Sequence, residues 1–372
     1  MERQLKMVKE TARDFARRKL VGQRESMDRY PDEPYPMDAL ETAWEMDLFH
    51  MALPESCGGL GLGLASLACA LETLSEADPG LAAVVFADTL AATILAEAGE
   101  TALLQQRADS ATGVGEWLMA VPLYDHPRES EGAPVAERDG DAWWLTGTVK
   151  SLSPCPLAAS ALVTARTPEG LGWFYLNLDG EGATLSDPVV NMGLNICPVA
   201  DLTLARAPAR MVGRETFAVP LFERAVCQLE ALAAAMALGI MKGAFEDAWG
   251  YAKNRHQGGR AIVAWSEVTR ILSEMALKVE TSSMLLEQAL RALASRSERW
   301  EAQVGAASLY IRQSACDLSS DAVQVLGGVG YMKDFSQEKR FRDAHQVRSL
   351  LGAAAISTLT FINRFKAERR RS

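Results

Sequence analysis

The chain has 372 residues, more than one ordinary core holds, so two or three domains are expected. Apolar residues make up 48% and charged ones 23%, which excludes a disordered majority. A net charge of −10 and a pI near 5.1 exclude a general basic surface for wrapping nucleic acid.

Residues 1–115 follow a helical period. Val8, Ala12, Phe15, Ala16 and Leu20 recur at helical spacing on a charged background. A second segment starts at Tyr35-Pro36 and carries Leu40, Ala43, Trp44, Met46, Leu48 and Phe49, and a glycine-rich turn follows at 54–63. Apolar helices are predicted at about 64–77, 80–98 and 101–108. The first two are parted at Asp78-Pro79-Gly80, because proline disfavours helix in the residue before it.

The period changes over residues 116–213. Trp143-Trp144-Leu145-Thr146-Gly147-Thr148-Val149, Ala161-Leu162-Val163-Thr164-Ala165, Trp173-Phe174-Tyr175-Leu176 and Val199-Ala200-Asp201-Leu202-Thr203-Leu204 are short β-like runs. Glycine and proline punctuate them, as in a small antiparallel barrel. Residues 214–372 are helical again, with long segments near 222–254, 265–296, 299–326 and 336–367. Such lengths imply a four-helix bundle with large lateral contacts. Ala231, Ala234, Ala235, Leu238, Met241 and Ala244 give the first of these helices a small-residue face. The expected class is α+β: a helical domain (1–115), an antiparallel β-barrel domain (116–213) and a helical bundle (214–372).

The six cysteines are scattered without a C-x-x-C pair, the pattern of buried thiols in a reducing compartment. His50, His126, His256 and His345 lack metal-ligand spacing, so no metal site is expected. No apolar run reaches the ~18–20 residues of a membrane span without a charge or a breaker. The first residues lack a signal-peptide core. Arg364, Lys366, Arg369, Arg370 and Arg371 read as a solvated end. The expectation is a cytoplasmic protein with no membrane or nucleic-acid partner.

Several motifs stand in a telling order. Leu48-Phe49-His50-Met51-Ala52-Leu53-Pro54-Glu55 precedes Gly58-Gly59-Leu60-Gly61-Leu62. Met192-Gly193, Asp201-Leu202-Thr203-Leu204 and Tyr251-Ala252-Lys253-Asn254-Arg255-His256-Gln257-Gly258-Gly259-Arg260 follow. Gln324-Val325-Leu326-Gly327-Gly328-Val329-Gly330-Tyr331 and Arg342-Asp343-Ala344 close the set. Over nearly the whole chain this set resembles the acyl-CoA dehydrogenase family. The resemblance implies FAD as cofactor, an acyl-CoA substrate and an electron-transfer flavoprotein as acceptor.

In that family the FAD diphosphate and adenine are held largely by a neighbouring subunit. An arginine supplies charge, and a glutamine near a Gly-Gly turn lets backbone amides approach. Those roles fall here on Arg255, Gln257, Gln324, Gly327 and Gly328. The plain alternative is that Arg255 pairs with a surface carboxylate and the two glycines merely end a helix. Gly258 replaces a phenylalanine, removing an aromatic wall, and Ser266 stands with a shorter reach where a glutamine follows the aromatic at Trp265. The family's Thr-Glu-Pro run matches Ala120-Val121-Pro122-Leu123-Tyr124-Asp125-His126-Pro127, with Pro122 offering no hydroxyl. Its Trp-Ile-Thr becomes Ser151-Leu152-Ser153, in which Ser153 alone keeps a hydroxyl for the flavin.

The family's catalytic Glu-Gly-Thr matches Leu351-Gly352-Ala353, and leucine accepts no proton. Some members carry the base on the first bundle helix, a position that falls on Leu229. Glu230 lies one step on, ~100° around the helix, and reads either as a weak candidate base or as an ion-paired structural carboxylate. Asp343 reads as a packing feature. Three readings follow. In the preferred one the chain is the non-catalytic (small or β) subunit of a heteromeric, heterotetrameric enzyme. Its catalytic acyl-CoA dehydrogenase partner desaturates a bulky substrate such as a steroid side chain or a dicarboxylyl-CoA. The others are a self-sufficient flavoenzyme using Glu230, and a scaffold without activity.

Overall fold

The computed structural model describes residues 2–127, 132–352 and 354–369, so Ala353, Arg370 and Arg371 of the stretches quoted above lie outside the described residues. The N-terminal part is helical: α1 (Glu2–Lys19), α2 (Arg24–Met27), α3 (Met37–Glu45), α4 (Gly63–Ala77), α5 (Pro79–Glu97), α6 (Thr101–Ser110) and α7 (Val114–Trp117). The break between α4 and α5 is a single residue. Asp78 is extended there, its carboxylate accepts from the Gly80 N–H at 2.8 Å, and Pro79 takes the first helical position. The glycine-rich segment folds back on the run before it. Leu60 and Leu62 N–H groups donate to the His50 and Met51 carbonyls at 2.9 and 3.0 Å. Gly59 lies so close to Leu53 that a Cβ would collide with its carbonyl.

The middle part is a seven-stranded sheet: β1 (Met119–Pro122), β2 (Val135–Asp139), β3 (Ala142–Ser153), β4 (Ser160–Arg166), β5 (Leu171–Asn177), β6 (Ala183–Leu185) and β7 (Ala200–Val212). Because β3 pairs with β7 as well as β2, the path β3-β2-β4-β5-β7 returns to its start. Most pairs are antiparallel as expected, but β1 and β2 both meet β4 in parallel. Two irregularities bend β3, one at Gly147 and one next to Ser151, both at positive φ. Leu145, Val163, Trp173 and Phe174 are buried in this layer.

The last part holds α8 (Ala218–Asn254), α9 (Ser266–Ser295), α10 (Trp300–Leu326), α11 (Gln337–Arg348) and α12 (Ala354–Arg369). Between α8 and α9 a small hairpin pairs β8 (His256–Gln257) with β9 (Arg260–Ala261). The helix expected over 336–367 is two helices, parted by a turn in which Leu351 and Gly352 take φ of +67° and +93°. Residues 231–241 of α8 are buried on every side. The small residues let α4 approach closely: a Cβ on Gly239 would collide with the Glu72 carbonyl, and one on Gly243 with that of Glu76. α8 packs on α4 and α5 as well as on α9, α10 and α11, so the C-terminal helices share one continuous core with the N-terminal ones. Helices α5 and α8 are apolar and long enough to cross a membrane. However, 83% and 89% of their most apolar windows are buried inside the fold, which makes them core helices.

Helix α11 ties the three parts together. The Arg342 guanidinium donates to Asp28 at 2.5 Å and to the Met192 carbonyl at 2.9 Å. Gly193 lies directly against the Arg342 backbone, where a Cβ would fall 2.7 Å from the carbonyl carbon. Asp343 accepts from the Leu194 N–H at 2.8 Å, and the Lys339 ammonium lies 2.7 Å from both Asp343 and Asp78. Burial acts to lower Lys339, but the two carboxylates outweigh it and raise it, so the ammonium stays charged. The Met192-Gly193 and Arg342-Asp343 motifs are therefore two sides of one contact.

Candidate functional site

Helix α8 ends at Asn254, and Arg255 leaves it in an extended conformation. The β8–β9 hairpin then turns through Gly258 and Gly259 at φ of +66° and +85°, which a two-residue turn of this hand requires. Facing it, α10 ends at Leu326, and Gly327 follows at φ +63° and ψ −137°, a region open essentially to glycine alone. Between the hairpin and this helix end lies a groove of about 390 Å³. Tyr251, Arg255, Gln257, Trp265, Gln324 and Gly327 are among its lining residues.

The groove carries unspent donors. Arg255 is exposed, and among the described residues no carboxylate lies within ion-pair distance of it. Among the described residues, Arg255 thus forms no surface ion pair. Gln257 and Gln324 are exposed beside it. A Cβ on Gly327 or Gly328 would meet open space, so neither glycine is demanded by packing within this chain. Gly328 lies next to the groove without lining it. A guanidinium, two carboxamides and a bare glycine turn suit a diphosphate, which needs charge and close backbone approach. The residues present therefore fit the diphosphate part of FAD.

Gly258 and Trp265 both line the groove and lie against each other. A Cβ on Gly258 would lie 2.8 Å from the indole, so the glycine makes room for it. The indole N–H donates to the Gln257 carbonyl at 3.2 Å, and the Arg260 guanidinium covers the ring at 3.7 Å. Ser266 opens α9 beside it, exposed and outside the lining.

The remaining site residues lie elsewhere. Ser153 is fully buried in β3, and its hydroxyl, which has one proton to give, faces the Pro198 carbonyl at 3.0 Å and the Cys197 sulfur at 3.2 Å. The hydroxyl expected to face a flavin is thus engaged within the sheet layer. Leu351 is 2% exposed, and its N–H donates to the Leu123 carbonyl just past β1 at 2.9 Å. Gly352 rests on His126, whose ring meets Phe222 edge-on at 5.0 Å. Phe222 in turn stacks on Trp173 at 6.4 Å. These rings occupy the space between the sheet and α8. A second cavity of about 280 Å³ adjoins them, lined by Pro122, His126, Thr148, Lys150, Thr164 and Trp173 among others. Glu230 is buried in α8 and lines neither cavity.

Sequence reasoning passes over two residues that the structure brings forward. Trp265 enters it only as a landmark for Ser266, although an indole shortly after a Gly-Gly turn is a usable signal. Arg312, buried in α10, donates to the Arg348 and Leu350 carbonyls and leaves no local trace, since those acceptors lie 36 and 38 residues further along.

A helical part, a sheet layer and long C-terminal helices, with a cationic groove where two of those helices end, describe a cofactor-dependent enzyme scaffold. The chain belongs to the acyl-CoA dehydrogenase family of FAD-dependent flavoprotein oxidoreductases: the model of that family's N-terminal domain matches residues 2–108 and that of its C-terminal domain residues 223–365. Among curated relatives, caffeyl-CoA reductase-Etf complex subunit CarC of Acetobacterium woodii is 25% identical over 353 residues, covering 91% of this chain and 92% of its own. Among solved structures, butyryl-CoA dehydrogenase from Megasphaera elsdenii superposes with a TM-score of 0.87 at 21% identity, covering 97% and 98% of the two chains. A variant of the steroid ACAD Tcur3481-Tcur3483 superposes with a TM-score of 0.81 at 23% identity, covering 100% and 99%.

Proposed function

We propose that this chain is the non-catalytic subunit of a heteromeric FAD-dependent acyl-CoA dehydrogenase that desaturates an acyl-CoA, and that it lends its groove to FAD seated mainly in a catalytic partner subunit. The observation that carries this reading is the groove itself: Arg255, Gln257, Gln324 and Gly327 line one open space, and among the described residues the three side chains have no hydrogen-bond or ion-pair partner. Leu351 supports it from the other side. It stands where the family resemblance expects the catalytic glutamate, and it is buried in a turn whose next residue, Gly352, rests against His126. FAD, when bound, supplies the hydride acceptor for desaturation. This chain's own part is to fix the cofactor's phosphates by charge and by glycine backbone, and to place the Trp265 ring beside them.

In this reading residues 1–115, 116–213 and 214–372 are helical, barrel and bundle domains, and the assembly is a heterotetramer. The likeness to CarC, by name a subunit of an Etf complex, supports an electron-transfer flavoprotein as acceptor. The steroid ACAD likeness supports a fold able to serve bulky acyl groups.

The test is to purify the chain alone, and together with a catalytic acyl-CoA dehydrogenase subunit encoded beside it. Flavin absorbance and acyl-CoA-driven dye reduction are followed in each preparation. The expected result is a yellow, active complex only when both chains are present, with Arg255→Ala stripping FAD from it. A lone chain that is yellow and active, or a colourless mixture, overturns the proposal.

A further inference from the structure

Three aromatic rings meet where the chain leaves α3. The His50 ring lies 4.5 Å from the Trp44 indole of α3 and 4.3 Å from the Trp117 indole of α7, and the two indoles lie 5.2 Å apart. Trp117 is already engaged: the Arg107 guanidinium of α6 covers its ring at 4.2 Å, and its N–H donates to Asp88 of α5 at 3.0 Å. Arg107 and Asp88 form a buried ion pair. The His50 side chain is only 15% exposed, and its Nδ1 is buried with no hydrogen-bond partner among the described residues. The Asp47 carboxylate lies 3.4 Å from that nitrogen and is itself 57% exposed. The backbone at His50 holds the glycine-rich segment: the His50, Met51 and Leu53 carbonyls accept from the N–H groups of Leu60, Leu62 and Gly61.

A neutral imidazole suits this setting better than a charged one. The neutral ring carries one N–H and can leave Nδ1 bare, whereas the imidazolium has two donors that each need an acceptor. A buried donor without one costs its full desolvation. The Trp117 face that could stabilise a cation is shared with Arg107. Burial first, opposed by Asp47 and aided by Arg107, holds His50 below the ordinary histidine value. Those two, with Asp88 paired to Arg107, are the charged groups facing the ring; Glu116 of α7 is taken up by the Thr112 N–H at 2.8 Å, and Glu45 of α3 is exposed.

We propose that His50 is a proton-controlled wedge. Uncharged, it fills the gap between Trp44 and Trp117 and fastens the glycine-rich segment 54–63; protonated from solvent, it leaves the gap and lets the segment open. The folded chain takes up this proton less readily than the opened one. The fastening is therefore complete above the ordinary histidine value and is lost as pH falls through the depressed one. Neither flavin nor a partner subunit enters the device.

The test is hydrogen exchange on the full-length chain between about pH 7.5 and about pH 5, the range in which histidine titrates. It is read at the Leu60 and Leu62 amides and corrected for the intrinsic pH dependence of exchange. Protection there is expected to fall about tenfold toward acid, the factor that a shift of one pKa unit carries. Amides in the middle of α8 keep theirs. His50→Phe keeps a ring in the gap and takes no proton, so its segment is expected to stay equally protected across the range. In the parent chain the His50 ring signal is followed by NMR and identified by its contacts with the two indoles. Its midpoint is expected below the ordinary histidine value. Protection that is independent of pH overturns the proposal. So does the same acid loss in His50→Phe, or a ring midpoint at or above the ordinary value. Should His50→Phe not fold, the two measurements on the parent still decide.

Discussion

Helices α8 and α10 present arginine in two opposite settings. At their far end Arg255 stands exposed in a groove, facing glycines whose missing side chains leave room for something outside the chain. Further back Arg312 is buried, and its guanidinium donates to the backbone carbonyls of Arg348 and Leu350. Charge left in open space suits binding, and charge spent on buried backbone carbonyls suits construction. The Arg342-Asp343 motif belongs with the second kind: it resembles a family signature, yet its polar groups are spent on joining the three parts of the fold.

The sharpest way to break this contrast is at the most deeply saturated cluster. Lys339→Met removes the ammonium between Asp78 and Asp343 and leaves two carboxylates, each 1% exposed, facing each other. Denaturant unfolding should show a loss of about 3–5 kcal/mol. A loss under about 1 kcal/mol would mean that the cluster is wetter or looser than its geometry indicates. Next in size is Gly239→Leu on α8, which forces α4 away at the Glu72 carbonyl. The expected cost is about 1–3 kcal/mol, read in the same experiment, and an unchanged midpoint would show that the two helices slide apart freely.

Much of this fold is legible in sequence, and the exceptions share a cause. The order of helical, β and helical parts follows from periodicity, and the Asp78-Pro79-Gly80 break from the rules for proline and capping carboxylates. The turn at 349–352 reads as continuous helix because Ser349 and Leu350 are compatible with one. Leu351 adopts its left-handed φ only because Leu123 and Arg312, far away in sequence, hold the backbone there. In the groove, Arg255 and Gln324 lie 69 positions apart in the chain. Only the family resemblance places them together; no spacing rule does so. Trp265 filling the space of Gly258 is a contact between two residues that the sequence presents singly.

A third basic side chain separates strength from setting. At the sheet surface Lys150 and Asp201 meet at 2.6 Å, and Asp201 also accepts from the Ser151 N–H at 3.1 Å. Lys150 first, and then that N–H, hold the Asp201 carboxyl below its ordinary value against the opposing effect of burial. A depressed native value means the stabilisation is complete above the ordinary carboxylate range and is lost as pH falls through the depressed value. Asp201→Asn should therefore lower stability at neutral pH by about 0.5 kcal/mol, since Lys150 is largely exposed, and should have no effect in strong acid. A loss that persists unchanged in acid would assign it to packing and not to charge.

The smallest expected effect is the most telling. Arg255→Ala on the lone chain should leave the unfolding midpoint within about 0.5 kcal/mol of the parent, because the guanidinium has no carboxylate partner among the described residues to lose. A folded chain that is indifferent to losing Arg255 has no structural use for it, and the residue's value then lies in what fills the groove. A clear destabilisation instead would place Arg255 with Arg312 and Lys339 among the residues of construction, and the contrast drawn between the two ends of these helices would collapse.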